Sequence, residues 1–95
     1  MNVTEYLLSC LIEECAEVIQ RATKAQRFGV DEVQPGQDQN NVDRLSDELA
    51  DLEGTIQLLQ DEGVNLCRLG DAIEAKKKKV REFMEYSRTQ GTLTG

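Results

Sequence analysis

A chain of 95 residues with no His, no Trp and a net charge of −7 is read as one small domain with a modest core. The acidic balance argues against a nucleic-acid binder, which needs a basic footprint; a phosphate-bearing small substrate stays open, because bound cations reverse the local sign. No apolar run reaches the length of a membrane span, and no basic segment followed by an apolar one opens the chain, so a soluble, cytoplasmic protein with no membrane partner is expected.

The apolar pattern places a first helix over about 4–27. Thr4 is its expected N-cap, with Glu5 in the first turn. Leu8, Leu11, Ile12, Cys15, Val18, Ile19 and Ala22 recur at helical spacing and define the expected buried stripe. Glu14 falls at the margin of that stripe, and Glu17 about 60° further round. Arg21 and Lys24 continue the row, acidic at one end and basic at the other. Such a row is either a set of solvated ion pairs or metal ligands followed by phosphate-contacting cations.

Residues 28–40 are expected as a loop, with Gly29 ending the helix and Pro35-Gly36 marking a turn. A loop of this length in a short domain either covers a pocket or is disordered. Asn40 or Asn41 then caps a second helix over about 41–62, with Val42, Leu45, Leu49, Leu52, Ile56 and Leu59 as its stripe. Glu48 sits at the edge of the stripe and Asp51 three residues on, repeating the arrangement of the first helix. Gly54 is unfavourable in mid-helix by about 1 kcal/mol, which suggests close approach of a neighbouring helix or a ligand.

Gly63 ends this helix and Asn65 is the expected cap of a third, over about 66–87, packed antiparallel to the second. Lys76 and Lys77 flank its apolar stripe of Leu66, Leu69, Ile73, Val80, Phe83 and Met84. They either snorkel to water or meet an inward anion. Residues 89–95 read as a frayed tail. The three cysteines, Cys10, Cys15 and Cys67, lack a Cys-x-x-Cys spacing and are expected as small, partly buried thiols in a reducing compartment. The fold class is therefore all-α, an antiparallel bundle of three main helices in one domain spanning 1–95, completed by oligomerisation because the core is small.

Two carboxylate pairs on two packed helices converge only around a positive charge. All-oxygen ligands without His suit Mg²⁺, with Mn²⁺ as a substitute, rather than zinc. A cation of this kind acidifies water and offsets phosphate charge, which points to metal-assisted phosphoryl or nucleotidyl hydrolysis. A di-iron bundle is excluded, since it needs Glu-x-x-His. A sugar hydrolase is disfavoured by the scarcity of aromatic surface.

Glu13-Glu14-Cys15-Ala16-Glu17 has the form Glu-Glu-x-x-Glu, and Glu48-Leu49-Ala50-Asp51 the form Glu-x-x-Asp. On consecutive helices these resemble the signature of the MazG-like all-α nucleoside triphosphate pyrophosphohydrolases, over about Leu7 to Met84. The segments Arg27–Gln37 and Lys79–Ser87 are similar to short phage-borne members, which would place the protein in the host cytoplasm. The resemblance implies Mg²⁺-dependent hydrolysis of a nucleoside triphosphate to monophosphate and diphosphate in nucleotide-pool control, by a homodimer or homotetramer. It implies Glu14, Glu17, Glu48 and Asp51 as metal ligands and Glu13 as an auxiliary catalytic acid that orients water or binds a further metal. Phosphate contacts are expected from Arg21, Lys24, Lys76 and Lys77. Two features depart from the family: Glu17 and Glu48 lie 31 positions apart, which is long, and the last helix lacks a Lys-x-x-x-Asn pattern. The alternative from a different class is a non-catalytic helical interaction module with solvated acidic faces.

Overall fold

Three helices and no strand make up the computed structural model, which describes residues Met1–Gly95: α1 (Val3–Phe28), α2 (Asn41–Asp61) and α3 (Gly70–Gln90). Helix α1 begins one residue earlier than the pattern suggested. Asn2, not Thr4, is its N-cap, and it forms a capping box with Glu5. The side-chain oxygen of Asn2 accepts from the Glu5 amide at 2.8 Å, satisfying one of the free amides of the first turn. Asn40 caps α2 as expected, accepting from the Asp43 amide at 2.9 Å.

Helices α1 and α2 pack on each other as a hairpin, and α3 packs on neither: none of its Cα atoms comes within 8 Å of theirs. The three expected helices are present, but within one chain they do not close into a bundle. The radius of gyration is 16.9 Å, against about 12 Å for a compact domain of this length.

The seam between α1 and α2 also differs from the expected stripes. On α1 it is made by the row Leu7, Leu11, Glu14, Val18, Arg21 and Ala25, whose members are buried or half-buried. Leu8, Ile12, Cys15, Ile19 and Ala22 face outward, with Ile12 72% and Ile19 66% exposed. By helical geometry the two rows lie roughly 100° apart on α1. The apolar arc is wide enough for two contacts, and the hairpin uses one edge of it. On α2 the seam runs through Asn41, Leu45, Glu48, Leu52, Ile56 and Leu59, while Val42 and Leu49 are exposed. Leu59 is the only large side chain that is fully buried. A Cβ added at Gly54 would meet nothing within 4 Å, so no neighbour requires a glycine there.

The 29–40 connection is tied down rather than loose. Asn41, 2% exposed, donates from Nδ2 to the Gly29 carbonyl (2.8 Å) and to Glu32 Oε1 (3.1 Å). Arg44 donates to Gln34 Oε1 at 2.7 Å. Between these anchors Pro35 and Gly36 occupy the middle of a turn closed by Gln37 N–H to the Gln34 carbonyl. The positive φ of 81° at Gly36 is the conformation a type II turn demands at its third residue.

Helix α2 ends in a Schellman arrangement, with Gly63 N–H bonded to the Gln60 carbonyl and Val64 N–H to the Leu59 carbonyl. The chain then stays non-helical to Leu69, which corrects the expected helix start at 66 and the Asn65 cap. Two interactions hold this linker extended. Gln60 Nε2 donates to the Leu66 carbonyl at 2.7 Å. Both terminal nitrogens of Arg68 grip the carboxylate of Glu53 on α2, a bidentate pair with one contact of 2.6 Å. At the other end, the tail is not free: Thr92 and Leu93 amides bond the Ser87 carbonyl, and Arg88 Nε reaches the Gly95 carbonyl at 2.7 Å. No helix is long and apolar enough to cross a membrane. All three cysteines are free; Cys10 is half-buried, but Cys15 and Cys67 are exposed rather than partly buried.

Candidate metal centre

Helical spacing delivers the acids to the seam. Glu14 follows Leu7 and Leu11 along the contact row of α1, and Glu48 lies between Leu45 and Leu52 on that of α2. What the sequence places at the margin of a stripe is therefore at the middle of the helix–helix contact. Glu14, Glu48 and Asp51 converge so that one carboxylate oxygen from each lies within 4.8 Å of the others. Glu14 and Glu48 are half-buried and Asp51 is exposed, so the cluster opens to solvent on one side.

No cation of the chain neutralises it. The three ion pairs of the protein are Arg68–Glu53, Lys77–Glu74 and Arg88–Glu85, all elsewhere. Partial burial pushes the Glu14 carboxyl above its usual range, and the neighbouring charges of Asp51, Glu48, Glu17 and Glu13 push it in the same direction. Glu53 is the opposite case, held down at about 2 by the hydrogen bonds from Arg68 and then Gln57. One acid of α2 thus has a partner and the cluster has none.

The donor set fits a hard divalent cation: three oxygen ligands from two helices, no nitrogen or sulfur among them, and an uncompensated negative charge.

The expected site residues divide into groups. Glu17 is half-buried next to the cluster but outside the convergent three. Glu13 is exposed and outside the convergent three, but near enough for its charge to act on Glu14. Arg21 lies two turns beyond Glu14 on the seam row, and its Nη1 is buried with no hydrogen-bond partner. Lys24 is half-buried one turn further. Lys76 and Lys77 are not brought to the acids by their own chain: both are exposed on α3, and Lys77 pairs with Glu74 at 3.2 Å. The inward position expected of them fails because α3 has no neighbour within the chain to face. They line instead a groove of about 470 Å³ with Cys67, Arg68, Leu69, Ala72 and Ile73. A second groove, of about 360 Å³ and lined by Leu11, Ile56, Asn65, Leu66, Cys67 and Arg68, adjoins it at the elbow between hairpin and α3. Neither includes an acid of the cluster.

Sequence reasoning missed Glu53 and Arg68. A lone cation in a linker gives no periodic signal, and its partner lies 15 positions away. Comparison of the chain with protein-family models, with curated proteins and with solved structures gives no match.

Proposed function

We propose that this protein is a Mg²⁺-dependent nucleoside triphosphate pyrophosphohydrolase, a relative of the MazG-like enzymes. The observation that carries the reading is the convergence of Glu14, Glu48 and Asp51 from two helices within 4.8 Å, with no cation of the chain among them. These three would hold the metal, and Glu17, whose charge acts on Glu14, would join them when a ligand completes the shell. Mg²⁺, or Mn²⁺ in its place, would supply charge compensation for the phosphates and a more acidic water.

The chain's own contribution is position and charge. Arg21 holds an unpartnered guanidinium nitrogen on the same row as Glu14, a place suited to a phosphate oxygen. In the reaction a water oxygen bonds to the α-phosphorus and the bond from that phosphorus to the α,β-bridging oxygen breaks. The products are a nucleoside monophosphate and diphosphate. Glu13, exposed beside Glu14, would orient the water as an auxiliary acid, and Lys24 would extend the cationic row.

The test is diphosphate release from a panel of ribo- and deoxyribonucleoside triphosphates with Mg²⁺. Turnover is expected, with a loss of at least about 100-fold in Glu48→Gln and a raised KM in Arg21→Ala. Absence of turnover on every nucleotide, or undiminished turnover in Glu48→Gln, refutes the reading. One observation favours the rival, a non-catalytic interaction module: large apolar side chains of all three helices are exposed. The rival predicts no nucleotide turnover and indifference to divalent cations.

A further inference from the structure

Two grooves meet at the elbow between the hairpin and α3, and the acid cluster explains neither. They share Cys67 and Arg68, so they form one furrow, about 470 Å³ on the α3 side and about 360 Å³ on the hairpin side. A space of this size suits a small organic molecule. Its floor is aliphatic: Leu11 and Ile56 come from the hairpin, Leu66 and Leu69 from the linker, Ala72 and Ile73 from α3. No aromatic side chain lines it, so a flat ring finds no stacking partner there.

The charge of the furrow has one sign. Arg68, Lys76 and Lys77 line it, and no carboxylate does. Helix α3 sorts its charges to that end. Viewed down the axis, Lys76 and Lys77 lie within about 60° of Ile73, whereas Asp71, Glu74, Glu82 and Glu85 lie about 100° or more away. Lys76 has no ion-pair partner in the chain. Lys77 is held only by Glu74, at 3.2 Å on an exposed surface, where such a pair is weak enough to be exchanged. Arg68 is committed to Glu53 on α2, and that bidentate pair fixes the linker wall of the furrow to the hairpin.

We infer that the elbow furrow binds a medium-chain aliphatic carboxylate, its chain along the floor from Leu11 to Ile73 and its carboxylate on Lys76 and Lys77. Burial of methylenes against six aliphatic side chains drives the binding. The free ammonium of Lys76 selects an anion, and the exchangeable one of Lys77 supplies a second donor. The lack of an aromatic wall selects a chain over a nucleobase. The furrow shares no residue with Glu14, Glu48 and Asp51, so this inference stands or falls apart from the enzymatic reading.

Proton–nitrogen correlation NMR of the full chain, titrated with dodecanoate below the concentration at which it self-associates, tests it. The expected result is saturable movement of the amides of residues 66–77 at one ligand per chain, with a Kd of roughly 0.1–1 mM. Tetradecanoate should bind about four- to fifteenfold more tightly, from half to full burial of each added methylene. Dodecanol, which keeps the chain and lacks the charge, should bind at least about fivefold more weakly. Lys76→Glu should weaken dodecanoate by a similar factor and leave dodecanol unchanged. Ala72→Trp, which fills the furrow from an exposed helical position, should abolish binding with unchanged circular dichroism. Non-saturating shifts spread over the chain overturn the inference, as does undiminished binding in Ala72→Trp. Equal movement of the same amides by a nucleoside monophosphate overturns the choice of an aliphatic ligand. Amides that do not respond at all overturn it too, and light scattering on wild type and Ala72→Trp then shows whether a second copy covers the furrow.

Discussion

Neutralising one acid of the cluster should change stability in opposite directions depending on whether Mg²⁺ is present. In Glu48→Gln one of three convergent charges is removed at nearly constant side-chain volume. Without a divalent cation the variant should melt at or above the wild-type temperature, because Glu14, Glu48 and Asp51 have no cationic partner and repel one another. With Mg²⁺ at about tenfold its Kd, binding to the native state stabilises the wild type by about 1.4 kcal/mol, or roughly 6–11 °C in a domain of this size. Losing one of three protein ligands should weaken binding by about 10- to 100-fold, which leaves the variant about 0.1–0.4 kcal/mol of stabilisation at the same Mg²⁺ concentration. The melting curves should therefore cross: variant at or above wild type in chelator, wild type clearly above variant in Mg²⁺. Differential scanning fluorimetry in EDTA, 10 mM MgCl₂ and 10 mM CaCl₂ at about constant ionic strength provides the measurement. A wild-type melting temperature that ignores Mg²⁺, or an equal Mg²⁺ response in both proteins, refutes the argument from convergent carboxylates.

Two further outcomes follow from the seam. Leu59 is 0% exposed, and Leu59→Ala should cost about 3 kcal/mol, a large share of what a small hairpin holds, read as a fall in the urea midpoint. The two perturbed carboxyls should act on stability with opposite signs as pH changes. Glu53, held at about 2 in the folded chain, favours the native state above its unfolded pKa, and that contribution is lost as pH falls from about 4.5 toward 2. Glu14, raised above its ordinary value, disfavours the native state while ionised, so its protonation recovers stability as pH falls from neutral toward 4.5. Carbon-detected NMR titration should place the Glu53 midpoint below and the Glu14 midpoint above ordinary glutamates; midpoints in the reverse order contradict the assigned environments.

The helices and the acid convergence were both legible in the sequence, for different reasons. Three-residue steps put Glu14 with Glu17 and Glu48 with Asp51 on neighbouring parts of their helices, and two amphipathic helices joined by a loop have few ways to pair. Which edge of the apolar arc α1 would use was not legible, because Leu11 and Val18 serve either contact. The choice of the Leu7–Ala25 row moved Glu14 from margin to centre and left Glu17 outside the convergent three. The late start of α3 was hidden because Leu66 and Leu69 satisfy a helical pattern, while Gln60 and Arg68 hold the same residues in an extended path through contacts that periodicity does not encode. The Lys76 and Lys77 expectation failed for a related reason. A stripe shows that a helix face seeks cover, but not whether its own chain supplies it.

The clamp at the start of α2 has a bearing on chain length. Asn41 and Arg44 fix residues 29–34 to the end of the hairpin, so the acids are placed by the helices and by these anchors. The Pro35–Asp38 tip lies outside that clamp. Residues added there would lengthen the path from Glu17 to Glu48 without moving either carboxylate, at about 0.6 kcal/mol for each doubling of the loop. The tip is accordingly where this chain should best accept an inserted tag or probe, and where natural variation in length should collect without disturbing the chemistry at the seam.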